Sequence, residues 1–218
     1  MSKLICIYPK DKTTDFLLPI YKQLESLSDF VGYRFDTNNS SKTKNLHEEL
    51  LQIAENNFII FLGHGSSNKL YGSVDENGEK LTLFDKKNSE CIKKAFFVGV
   101  ACRSTDFADK HLSNYVGFGD ITSDYSEVLA ERNIGDPHYL EWASEEDIIN
   151  FQNEFVGAIV DALKLSGCSD LCSLYRMVKL SFNKRIASLL INRPLQNSRQ
   201  IADMLYDINN VISIHSSL

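Results

Sequence analysis

Phe58-Ile59-Ile60-Phe61-Leu62-Gly63-His64-Gly65-Ser66 and, with its cysteine 38 residues after that histidine, Phe96-Phe97-Val98-Gly99-Val100-Ala101-Cys102-Arg103-Ser104 share one form. Five apolar residues, rich in β-branched and aromatic types, run straight into small and polar ones. Runs of this length and composition read as strands buried on both faces, as in a parallel sheet covered by helices. In such sheets the loops at the carboxyl ends of the strands collect the ligand-binding groups. If the two strands are parallel neighbours, His64 and Cys102 emerge at the same edge, within a side chain's reach of each other.

Working outward, Leu4-Ile5-Cys6-Ile7-Tyr8, stopped by Pro9, is a third such strand near the middle of the sheet. Phe16, Leu17, Ile20, Tyr21, Leu24 and Leu27 recur at helical spacing, with Thr13, Thr14 or Asp15 as cap and Pro19 near the first turn. Val31 to Phe35 alternates as a strand, Asn38 to Lys42 is polar loop, and Leu46, Leu50, Leu51 and Ile53 mark a second helix. Tyr71 to Val74 and Leu81 to Phe84, around Glu76-Asn77-Gly78, predict a β-hairpin. Helical residues about Lys86 to Lys94, a short helix near Thr105 to Leu112 and a strand at Tyr115-Val116-Gly117-Phe118 follow.

From residue 145 the pattern is helical throughout and strands stop. Ile148, Ile149, Phe155, Val156, Ile159 and Leu163 line one stripe; Leu171, Leu174, Tyr175, Val178, Phe182, Ile186 and Leu189 line another. Leu195 to Ile212 is the last helix, and Ser123 to Ser144 the longest irregular segment. Strands alternating with helices make the fold α/β, with a mostly parallel central sheet, a β-hairpin insertion and a helical C-terminal third. At 218 residues, with no repeat and no long linker, one domain is expected.

Composition narrows the function. With 43% apolar residues and only 4 prolines the chain is a folded globule and not a disordered one. A formal charge of −6 argues against a nucleic-acid grip. The densest basic stretch, Arg176 to Arg185 with Lys179 and Lys184, reads as a solvated helix face, so no direct nucleic-acid binding is expected. No window approaches the ~20 apolar residues of a membrane span, and no membrane partner is expected; the cytoplasm is the default compartment. Five cysteines without paired zinc spacing imply free thiols, and no metal or cofactor is called for.

The question is then which thiol is reactive. A thiol becomes a strong nucleophile when ionised; a nearby imidazole can take its proton and later return it to a leaving amine. His64 and Cys102 therefore form a candidate acyl-transfer dyad. The glycines beside His64 let the backbone approach a substrate carbonyl, so the backbone N–H groups of Gly65 and Cys102 are the candidate oxyanion donors. A helix beginning just past Cys102 would further favour the thiolate through its positive N-terminal end.

FIIFLGHGS, the glycine-containing YGSVDENGEKLTL and AFFVGVACRSTD together resemble the caspase-like cysteine peptidases (clan CD) over about residues 1 to 165. VACRS is close to the pattern around a caspase nucleophile, although the 38-residue interval from His64 to Cys102 is shorter than the ~50 of caspases. YVGFGD, Trp142 and the helix Phe151 to Leu163 look most like the bacterial CHAT-domain branch. The resemblance implies a three-layer α/β/α sandwich, residues 1–165 its core and 166–218 a helical extension packed on it. It also implies a cysteine endopeptidase with His64 as base and Cys102 as nucleophile, acting on a protein substrate. Such enzymes are often latent until an activating or regulatory partner orders their loops, and CHAT members commonly serve bacterial defence or programmed cell death. Members that cut after Lys or Arg carry an acid in the pocket for the residue before the scissile bond. Asp120, Asp106 and Asp124 are the candidates, Asp120 first because it ends a predicted strand, and Arg103 could instead hold a carboxylate.

Other readings carry less. Cys168 and Cys172, four apart, read as packing on one helical face, Cys6 and Cys91 as structural. His138 is the one remaining histidine in an irregular segment. A serine-hydrolase elbow, Gly-x-Ser-x-Gly, is absent, as are G-x-G-x-x-G and the P-loop pattern. The alternatives are a catalytically silent caspase-like subunit that binds or regulates a partner, and a flavodoxin-like module for a small ligand.

Overall fold

The computed structural model describes residues 3–36, 40–52, 57–74, 79–168 and 170–216. β1 (Leu4–Ile7), β2 (Phe30–Tyr33), β3 (Phe58–Leu62), β7 (Phe96–Val100) and β8 (Tyr115–Gly117) pair in parallel in the order β2-β1-β3-β7-β8. β9 (Ser213–His215) adds antiparallel to β8 and closes that edge. A separate antiparallel sheet joins β4 (His64–Gly65), β5 (Leu70–Val74) and β6 (Lys80–Phe84). The turn expected at 76–78 lies outside the described residues, as do Ile53 and part of the 38–42 loop.

Alternation along each strand divides the core between two faces. Leu4, Cys6, Phe58, Ile60, Leu62, Val98, Val100 and Val116 face α1 (Leu18–Glu25), α5 (Glu145–Ser166), α6 (Leu171–Asn192) and α7 (Ser198–Val211). Ile5, Ile7, Ile59, Phe61 and Phe97 face α2 (Ser40–Leu51), α3 (Ser104–His111) and the hairpin residues Leu70, Leu83 and Phe84. Helices therefore cover both faces of a mostly parallel sheet, the arrangement that the near-continuous apolar strands require.

Several elements differ from the sequence expectation. The first helix opens as a 3-10 turn, Lys12–Leu17, capped by Asp11, whose carboxylate accepts from the Thr13 N–H; Pro19 then falls in the first turn of α1. The Lys86 to Lys94 segment shortens to one 3-10 turn, Ser89–Cys91, carrying the buried Cys91. The irregular stretch 123–144 contains α4 (Tyr125–Ile134), capped by Asp124. α4 buries only Val128, so it has no apolar stripe to announce it. Strands do not stop at residue 145: β9 is three residues long, too short for an alternating pattern to register. Cys168 follows the end of α5 with a left-handed φ of 54° while Cys172 lies on α6, so the two do not share a helical face.

The helical third is welded to the sheet. Phe155 of α5 meets Phe118 edge-on at 5.9 Å and Phe182 of α6 edge-on at 5.7 Å, with Phe151 tilted at 6.2 Å. Arg185, expected on a solvated face, instead reaches from α6 to Glu154 and Asp161 of α5 at 2.8 Å each. Lys179 donates to the Asn209 carbonyl of α7. Those basic residues tie helices together. Among the described residues, no helix is long and apolar enough to cross a membrane.

Candidate active site

β3 and β7 are adjacent and parallel, with Leu62 beside Val100, so the chain leaves both strands at the same edge. The Gly63 N–H donates to the Val100 carbonyl at 3.2 Å, carrying the alignment one residue further. His64 and Cys102 then line one small cavity with Thr14, Phe16, Ile121 and Ser123. Gly65 is required there: a Cβ on it would stand 2.4 Å from the Cys102 carbonyl oxygen. The backbone beside the histidine thus lies against the backbone of the cysteine, a contact that only glycine permits.

The turn holding Cys102 is fastened from below. Arg103 adopts a left-handed φ of 53° and its N–H donates to the Gly119 carbonyl at 2.9 Å. Ser104, wholly buried, donates to the Gly99 carbonyl and accepts from the Phe118 N–H at 2.9 Å. Gly117 lets α3 sit directly on the strands, since a Cβ there would be 2.6 Å from the Thr105 backbone.

Behind His64 stands a pair that the sequence reading did not find. Thr13 Oγ1 donates to Asp11 Oδ1 at 2.7 Å and lies 2.6 Å from His64 Nε2. The Asp11 carboxylate is itself 3.7 Å from Nε2 and its side chain is 5% exposed. With its own proton spent on Asp11, the Thr13 hydroxyl can only accept from His64, which places the imidazole hydrogen on Nε2. The lone pair is then on Nδ1, the nitrogen available to act as base. Burial alone would raise the Asp11 carboxyl. The Thr13 hydroxyl and N–H, the His64 charge and the Val74 N–H outweigh it and hold Asp11 below its ordinary value. Asp11 and Thr13 are positioning residues: they fix the tautomer and the ring plane.

Burial, then the charge of Lys80, push the His64 pKa down, against the opposing pull of Asp11 and Glu127. Cys102 goes the other way. Burial lifts its pKa above the ordinary value and Glu127 and Asp120 add to this, while the Ile121 backbone and Lys80 oppose it. Burial thus works against the thiolate that the nearby helix N-terminus would favour. Sγ–H donates to the Ile121 carbonyl at 3.1 Å and Sγ accepts from the Ile121 N–H at 3.4 Å. A measurable consequence follows, because below its pKa a thiol loses thiolate about tenfold per pH unit. Iodoacetamide should label Cys102 slowly at pH 7, well behind the exposed Cys172, and its rate should climb through and beyond the ordinary thiol range. Time-resolved mass spectrometry across pH 6 to 10 reads both sites; Cys102 reacting ahead of Cys172 at neutral pH would contradict this.

Next to Cys102 opens a hollow of about 290 Å³ whose walls carry Asp120, Glu127 and Glu131. A second hollow of similar size adjoins it through Asp120, Thr122 and Tyr139 and reaches Asp207 and Met204. Of the acids and the arginine singled out from the sequence, Asp120 lines this space. Asp106 pairs with Arg103 at 2.8 Å on α3, and Asp124 is occupied as the cap of α4. Glu127 and Glu131 were invisible in the sequence because their positions depend on α4. His138 is exposed, pairs with Glu141 at 2.8 Å and takes no part in the site.

Compared with models of known protein families and with curated proteins, the chain matches none.

Proposed function

We propose that this chain is a cysteine endopeptidase of caspase-like architecture in which His64 and Cys102 cleave a protein substrate after a basic residue. The observation that carries the reading is the convergence of an imidazole with its proton fixed on Nε2 and a cysteine in one cavity at the ends of two adjacent parallel strands. In the reaction, the Cys102 proton passes to His64 Nδ1 and the thiolate attacks the scissile carbonyl. The backbone N–H groups of Gly65 and Cys102 are the donors assigned to the developing oxyanion. The proton on Nδ1 then goes to the leaving amine, and water hydrolyses the thioester with His64 again as base. The acid-walled hollow beside Sγ supports a Lys or Arg side chain on the acyl side of the bond.

The small volume of the cavity and a thiol turned to the Ile121 backbone suit a latent enzyme that an activating protein partner switches on. They also suit the competing reading, a silent subunit that binds a partner through the same cleft. Comparing new protein N-termini in native cells carrying the wild-type chain or Cys102→Ala separates the two. The expected result is a set of N-termini following Lys or Arg that appears with the wild type alone. Asp120→Asn with Glu127→Gln should reduce the preference for basic over neutral residues by about 10- to 100-fold, the scale of losing one or two hydrogen bonds to a charged group. Identical N-termini and identical biological effect in wild type and Cys102→Ala would make the chain a binding module.

A further inference from the structure

The geometry points to Lys80 as an internal latch that occupies the base nitrogen of His64 and holds the dyad apart until it is displaced. This rests on the peptidase reading above and concerns how that site is held at rest. Nε2 is committed to Thr13, so all the base chemistry of the imidazole must run through Nδ1. Lys80 Nζ stands 3.2 Å from that atom and donates into it. An ammonium there fills the position from which a leaving amine would collect its proton, and it denies Nδ1 to the Cys102 thiol. The thiol is correspondingly turned to the Ile121 backbone. The cavity that the two residues share holds only about 10 Å³, at the lower limit for one water molecule.

Lys80 is well placed to be moved. It is the exposed first residue of β6, paired with Val74 on β5, and β5 in turn pairs with the β4 strand that carries His64. A partner or substrate that draws the start of β6 outward frees Nδ1 without disturbing the sheet beneath. The acids of the neighbouring hollow, Asp120 and Glu127, offer a displaced ammonium an alternative counter-charge.

Iodoacetamide labelling of Cys102 at pH 7, read by mass spectrometry against the other four thiols, tests this on the full chain. The variants are Lys80→Met, Lys80→Arg and Lys80→Met with His64→Ala. A ¹⁵N-histidine NMR titration of wild type and Lys80→Met runs alongside. Released from the latch, His64 can take the thiol proton, and the rate should rise about tenfold, the effect of one pKa unit on thiolate population. Lys80→Arg, which keeps a cationic donor, should stay near wild type, and the double variant should lose the gain. The sign is diagnostic: the charge of Lys80 by itself favours the Cys102 thiolate, so its removal without a latch would slow labelling. In the titration the charged groups around the imidazole are Lys80, Asp11 and Glu127, and losing Lys80 should move the His64 pKa upward. No gain at Cys102 with the His64 titration unmoved overturns the latch, as does a gain that survives His64→Ala. No gain with the His64 titration moved shows that imidazole and thiol do not communicate, and overturns the peptidase reading instead.

Discussion

On the peptidase reading, Asp11→Asn is expected to lower kcat by up to about 10⁴-fold, the scale seen when the carboxylate behind a catalytic histidine is replaced by an amide that leaves the wrong tautomer. The carboxylate only accepts, so Thr13 donates to it and the imidazole hydrogen is pinned on Nε2. An asparagine amide can donate to Thr13 Oγ1. The hydroxyl would then donate to Nε2, moving the imidazole hydrogen to Nδ1 and removing the lone pair that must receive the thiol proton. Peptide hydrolysis by the Lys80→Met chain gives the rate, and ¹⁵N-histidine NMR gives the tautomer. Thr13→Val should cause a loss of the same order, while Thr13→Ser, which keeps the hydroxyl, should restore most of the rate. Full activity in Asp11→Asn with an unchanged tautomer would show that the Asp11–Thr13 pair only packs behind His64.

Phe155→Ala should be among the most damaging single truncations in the core. The ring has no solvent exposure and joins Phe118, Phe151 and Phe182, linking α5 to the end of β8 and to α6. Removing a buried phenylalanine costs about 3–5 kcal/mol, since the transfer energy of the ring is lost and the cavity left behind only partly collapses. For a chain of this size that corresponds to a fall in Tm of roughly 6–20 °C. Leu165→Ala on the same helix, at a position 66% exposed, should stay within about 0.5 kcal/mol of wild type. Equal shifts in the two variants, measured by calorimetry, would mean that α5 does not carry the core as its contacts indicate.

Both effects turn on positions that differ in how far the sequence reveals them. Phe155 belongs to an apolar stripe with helical period, legible because a long helix against a core repeats its buried face every turn. Asp11 and Thr13 look like ordinary turn residues. They serve His64 only because β1 lies directly beside β3, so that the chain leaving β1 passes behind the chain leaving β3. Strand order is a long-range choice, and no local pattern encodes it.

The same division runs through the molecule. Residue chemistry alone determined the α/β class, the three central strands and the two strand ends with histidine and cysteine, because burial on both faces demands unbroken apolar runs and a parallel sheet gathers its polar groups at one edge. Tertiary structure alone decided what surrounds that pair. Lys80 reaches the imidazole because the hairpin folds back over it. Glu127 and Glu131 enter the hollow because residues 125–134 form a helix that buries one side chain and is held in place by its cap and neighbours. β9 exists because β8 offers a free edge to a three-residue segment too short to declare itself. Local periodicity records which side of an element meets the core; which distant residue meets which is settled only when loop closure and packing choose one arrangement of those elements.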